Sequence, residues 1–182
     1  SRYTSVKLNH DAGKVLKKYG HLNTKSEDGQ WDPMWLEVPV GLCAGIVGIA
    51  VGYKSMILPR SIEDMQLYLG GKIDKIAPSF INYNGKVTQY GENSKTWLLE
   101  GKYTKSIKNK SLHITSIPPL MKYSAFLNKL ESIRDEFPKI TISNNSTDNI
   151  DITIVYRGRL DKEFKELSSR ISKITKMIVT ET

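Results

Sequence analysis

Cysteine is almost absent: Cys43 is the single one in 182 residues. No internal disulfide can form, and the chain suits a reducing compartment. Histidine is nearly as scarce, with His10, His21 and His113 scattered along the chain. One cysteine and dispersed histidines give no zinc-ligand spacing. No Ser-His-Asp or Cys-His arrangement stands out. No signal-peptide pattern is present, nor any internal repeat or low-complexity tract. Long hydrophobic runs are missing too. The most apolar stretch, Val38 to Tyr53, is shorter than the about 20 residues a membrane span needs, and glycines at 41, 45, 48 and 52 interrupt it. The chain opens Ser-Arg-Tyr without Met, as a fragment or processed product would.

What is plentiful is positive charge. The formal net charge is +8 and the pI about 9.4, which favours an anionic partner such as nucleic acid or a membrane surface. The length fits one large domain, or one domain with part of a second.

Periodicity predicts a short helix over 9–19, capped by Asn9 and ended by Gly20. The stretch 38–53 reads as a strand followed by a glycine-dense turn. Ser61 is the expected cap of a helix running to about Leu69 and stopping at Gly70-Gly71. Strand-like runs follow at Lys86–Tyr90, Lys95–Tyr103 and Ser111–Ile117. A basic loop with Lys105, Lys108 and Lys110 lies between the last two. Residues 121–137 predict an amphipathic helix with Phe126, Leu127, Leu130 and Ile133 on one face. Ile140–Ile142 and Ile150–Tyr156 alternate as paired strands around the polar turn 143–149. A last helix is expected over 161–177. Its Asp161, Glu163 and Glu166 are interleaved with Lys162 and Lys165, the pattern of a solvated face. The fold class is α+β, with antiparallel hairpins and helices beside them.

The segment from Gly45 to Ser55 invites a phosphate-loop reading, but the spacing fails. Tyr53 separates Gly52 from Lys54, and no glycine stands five residues before a Gly-Lys pair. A tight bend built from small residues fits better. A turn that presents one apolar side chain to a partner stays open.

Several motifs now fall into one order. Arg2-Tyr3-Thr4 resembles the Arg-Tyr-Thr around the active tyrosine of type IIA DNA topoisomerases. Some 45 residues on, Gly48-Ile49-Ala50-Val51-Gly52 resembles the Gly-Ile-Ala-Val-Gly of the cleavage subunits of gyrase and topoisomerase IV, with Pro59 near their Ile-Pro-Pro run. The Asp28-Gly29-Gln30, Pro33, Trp35 and Pro39 stretch is more similar to eukaryotic topoisomerase II, a mixed character like that of the bacteriophage members. Pro78 through Gly85 and Leu112 through Pro118 resemble later family segments. The sequence departs where gyrase has His-Asn after the proline run and this chain has Arg60-Ser61.

The resemblance implies the end of a winged-helix domain over 1–38 and a tower-type domain over 39–182, with antiparallel sheet and flanking helices. It implies DNA breakage and reunion, with Tyr3 as nucleophile and Arg2 stabilising the charge on phosphorus. Ile49 is implied as a wedge between base pairs; the alternative is a buried Ile49. Lys7, His10, Lys54 and Arg60 are candidate phosphate contacts. Mg2+ and ATP are expected on a partner subunit carrying the ATPase and metal-binding domains, not on this chain. Double-stranded DNA, that partner and a second copy of the full-length subunit are the expected associates, in the cytoplasm. The fragment alone is expected to be inactive. The competing reading is a non-enzymatic basic α+β module that binds nucleic acid.

Overall fold

The computed structural model describes residues 10, 11, 14, 27–29, 38–92 and 95–182. The chain divides into two compact units, Ser1–Glu37 and Val38–Thr182. In the first unit His10, Asp11 and Lys14 are helical and exposed, as expected for the 9–19 helix at those positions. Tyr3, Arg2 and Lys7 lie outside the described residues.

The second unit opens with helix α1, Val40–Ala44. The Pro39 carbonyl accepts from Leu42 N at 2.9 Å, which closes its first turn. Gly45 ends the helix at φ +78°. A side chain there would bring Cβ within 3.0 Å of Pro59 N and 3.1 Å of Ile57 O. The strand expected from residue 38 is therefore corrected. The chain is helical to Ala44, and the strand starts only beyond the Gly45 break.

Strands β1 (Ile46–Ala50) and β2 (Tyr53–Ile57) then form a two-stranded antiparallel ribbon. Its turn is Val51-Gly52, with Gly52 at φ +74°, a conformation that costs glycine little and other residues much. Only this glycine belongs to the turn; Gly48 lies inside β1, opposite Ser55. Helix α2, Ile62–Leu69, follows as the sequence leads one to expect. Ser61 Oγ accepts from Asp64 N at 3.2 Å, and Gly70 closes the far end.

The rest builds two sheets. Strands β3 (Lys86–Gln89), β4 (Thr96–Glu100) and β9 (Lys176–Thr180) form one sheet in the order β3-β4-β9. Strands β5 (Tyr103–Ser106), β6 (Ser111–Ile114), β7 (Ile140–Asn144) and β8 (Ile152–Tyr156) form the other, ordered β5-β6-β8-β7. All pairings are antiparallel. The single run expected over 95–103 splits at Gly101, whose N–H goes to Thr175 O at 2.7 Å while Lys102 N goes to Ser116 O at 3.0 Å. Those bonds send the chain from one sheet to the other. Lys105, expected in a loop, lies in β5.

Two helices cover the four-stranded sheet: α3 (Tyr123–Glu136) and α4 (Asp161–Ile174). Alternation puts Leu112, Ile114, Ile140, Ile152, Ile154 and Tyr156 on one face, where Phe126, Leu130 and Ile133 of α3 and Phe164, Leu167 and Ile171 of α4 pack on them. The face expected for residues 121–137 is thus the buried one, with Leu127 at its margin. Helix α4 stops at Ile174 rather than 177. The β-branched run Ile178-Val179-Thr180 becomes β9, because its Val179 pairs with Trp97 and its Met177 with Leu99. The chain is α+β with antiparallel sheets and flanking helices.

Candidate nucleic-acid interface

The ribbon inverts ordinary burial. Register pairs Ile49 with Lys54 and Val47 with Met56 on one face, and Gly48 with Ser55 on the other. Ile49 is 83% exposed and Val51 at the turn is fully exposed, with Val47 and Tyr53 also largely in solvent. Ile49 is therefore not a core residue of the described structure. Its neighbour across the ribbon, Lys54, is exposed as well. The tip so presents an apolar side chain beside a cation. A cluster of exposed apolar side chains of this kind marks a surface for a partner.

The ribbon's root is tied to the three-stranded sheet. Glu181, just past β9, accepts from Leu58 N at 2.7 Å, from Arg60 Nη2 at 2.7 Å and from Trp97 Nε1 at 2.9 Å. Arg60 Nη1 also donates to Leu58 O at 2.7 Å, and its guanidinium lies 5.8 Å from the Trp97 ring centroid. The Arg60 and Glu181 side chains are only 13% and 12% exposed. Burial pushes the Glu181 carboxyl up. The bonds from Arg60, Leu58 N and Trp97, with the Arg60 charge, outweigh burial and hold it below the ordinary range. Arg60, a candidate phosphate contact, thus has its head group committed inside the protein.

Of the other candidates, His10 is exposed next to Asp11, at 3.6 Å. His113 pairs through Nε2 with Asp151 at 2.8 Å, on the face of the four-stranded sheet away from α3 and α4. The basic stretch is also partly committed: Lys110 Nζ bonds Asp161 at 2.9 Å and Arg159 O at 2.8 Å, and Lys105 Nζ sits 5.0 Å from the Phe164 ring centroid. On α4 the solvated-face reading holds for exposed Asp161, whereas Glu163 turns inward to accept from the Tyr156 hydroxyl. Among the described residues no group of three or more His, Cys, Asp or Glu could hold a metal ion. No helix among them is long and apolar enough to cross a membrane.

Sequence reasoning missed Glu181 and Trp97. Glu181 stands in a polar Thr-Glu-Thr stretch with no local pattern, and its partners are 84 to 123 residues away in sequence. Only the folded chain brings them together.

Residues 1–181 match the sequence family of the DNA gyrase/topoisomerase IV A subunit. The chain belongs to that family. Among solved structures, the fold is similar to the DNA-binding, cleavage and re-ligation domain of Plasmodium falciparum topoisomerase II, with a TM-score of 0.63 at 21% identity over 87% of this chain. The chain spans 23% of the length of that protein chain. No curated protein sequence matches it. The Gly48–Gly52 segment forms the end of β1 and the turn of the exposed ribbon.

Proposed function

We propose that the chain is the DNA breakage-and-reunion portion of a type IIA DNA topoisomerase subunit of bacteriophage type. It comprises the end of a winged-helix domain and a tower-type domain. The observation that carries the reading is the ribbon: a member of this family holds Ile49 in solvent, opposite Lys54, on a hairpin with no core to bury it. Such an apolar side chain can enter a base step, unstack it and bend the duplex, at a cost of a few kcal/mol offset by the contacts the bend allows. Lys54, across the ribbon from Ile49, meets a phosphate beside the opened step. Lys7 and His10 are the further phosphate contacts, and Arg60 serves from behind by fixing the ribbon's root.

Tyr3 is the nucleophile. Its hydroxyl gives up a proton, its oxygen attacks phosphorus, and the bond to the 3′ oxygen breaks; that oxygen takes up a proton, leaving a 5′-phosphotyrosyl link and a free 3′ hydroxyl. The new ester is comparable in energy to the one broken, so resealing needs no fuel. A tyrosine with a pKa of about 10 is a poor nucleophile at neutral pH. Arg2, always charged and adjacent in sequence, offsets the charge that builds on phosphorus. Mg2+ and ATP belong to the partner subunit, and the working enzyme pairs two copies of the full-length subunit in the cytoplasm.

In the full subunit mixed with its partner, Tyr3→Phe is expected to bind DNA with affinity near wild type and to form no covalent adduct on a denaturing gel. Undiminished protein-linked DNA would remove Tyr3 from the mechanism. No adduct even with the wild-type subunit, together with salt-sensitive DNA binding, would favour the non-enzymatic module.

A further inference from the structure

A two-stranded hairpin is marginally stable on its own, and one used as a wedge must withstand the resistance of stacked bases. The β1–β2 ribbon has two strands and five residue pairs. At about 3.4 Å per residue its tip stands roughly 15 Å from its root. Small angular play at the root becomes a large displacement of Ile49.

We propose that Glu181 is a positioning residue for DNA bending: it clamps the ribbon's root to the three-stranded sheet, Thr182 braces β2 alongside, and together they fix the angle at which Ile49 meets the duplex. This rests on the reading of the ribbon as a DNA wedge.

The clamp has two parts. Glu181 grips the exit of β2 through Leu58 N and Arg60, and is itself held by Trp97 of β4. Thr182, just past β9, lies alongside β2 and bonds its backbone. Its N–H donates to Met56 O at 3.0 Å, Met56 N donates back to Thr182 O at 3.1 Å, and Ser55 Oγ donates to the same carbonyl at 2.9 Å. Thr182 Oγ1 reaches the Lys54 carbonyl at 2.8 Å, one residue from the turn-side end of β2. Since β9 is paired along its length with β4, the clamp passes any load on the ribbon into the sheet. Trp97 belongs to the strand at the centre of that sheet, so the carboxylate is anchored in the core and not on a loop.

The test uses the full subunit with its partner and a duplex labelled at both ends. E181A is expected to leave DNA affinity within about threefold. It should lower the bent fraction and the rate of cleavage together, by tenfold up to about a hundredfold, the scale of a small misplacement at a reacting centre. E181Q keeps an acceptor for Leu58 N but not the charge facing Arg60; it is expected to fall between, and it carries the test if E181A does not fold. A rescue separates positioning from general damage. Met56 and Thr182 exchange both backbone bonds, a separation a disulfide can span. In an E181A/C43S background, M56C/T182C is expected to regain bending and cleavage when oxidised and to lose both when reduced. Wild-type bending by folded E181A, or a formed disulfide that restores nothing, overturns the clamp. If I49A bends less while E181A bends normally, the wedge stands and the clamp falls. If I49A itself bends and cleaves normally, it is the wedge reading that has failed.

Discussion

The ribbon and the helix-covered sheet use the same kinds of residue in opposite ways. In the four-stranded sheet, Leu112, Ile114, Ile152 and Ile154 are fully buried beneath α3 and α4. On the ribbon, Val47, Ile49, Val51 and Tyr53 face solvent. Burying an aliphatic side chain is worth about 1.5–3 kcal/mol, so the sheet's residues explain why the chain folds. The ribbon's residues contribute little of that, and what they offer is surface for something else. One region holds the molecule together; the other is held out by it, through Glu181.

This contrast can be broken at its strong end first. Phe126 is fully buried between α3 and the sheet. Phe126→Ala is expected to cost about 3–5 kcal/mol in urea unfolding. A loss under 1 kcal/mol, roughly the level of an ordinary surface change, would mean the core is not where the structure puts it. The ribbon's root comes next. Gly45→Ala forces a side chain into a left-handed conformation with Pro59 N 3.0 Å from the added carbon, and an expected loss of about 1–3 kcal/mol follows. Unchanged stability there would show that the α1–β1 bend relaxes freely.

How much of this could be read from the sequence divides along the same line. Helices α2, α3 and α4 were legible because their apolar residues recur with helical spacing and Ser61 supplies a cap. The β7–β8 hairpin was legible because its residues alternate. The stretch 38–57 was not, because an apolar run without a period does not distinguish helix from strand. Residues 40–44 therefore went unread as helix, and β2 as a strand. Strand β9 went unread: its first two residues fell into the helix expected to 177, since nothing local separates Ile174 from Lys176, and 178–180 were given no element. Arg60 looked like a free surface cation because its partner lies 121 residues away. Tyr3 and Arg2 rest on a family motif alone; no local physical pattern marks them, and they lie outside the described residues.

A smaller effect tests the clamp by pH. Glu181 is held below its ordinary pKa of 4.5. A depressed carboxylate contributes stability that is present in full above the unfolded value and lost as pH falls through the folded one. The stability gap between wild type and Glu181→Gln is therefore expected to be constant above 4.5 and to close below it. Urea titrations on either side of that value check this, and a gap that widens in acid would contradict the sign.

The smallest expected stability change belongs to the residue proposed as the wedge. Ile49→Ala removes a side chain that is 83% exposed. The melting temperature should hardly move, since exposed truncations cost under about 0.5 kcal/mol. On the same preparation of the full subunit with its partner, the end-to-end distance of a labelled duplex should lengthen toward that of straight DNA, and cleavage should fall with it. A variant that melts early and still bends DNA as the wild type does would contradict the wedge and return Ile49 to the core.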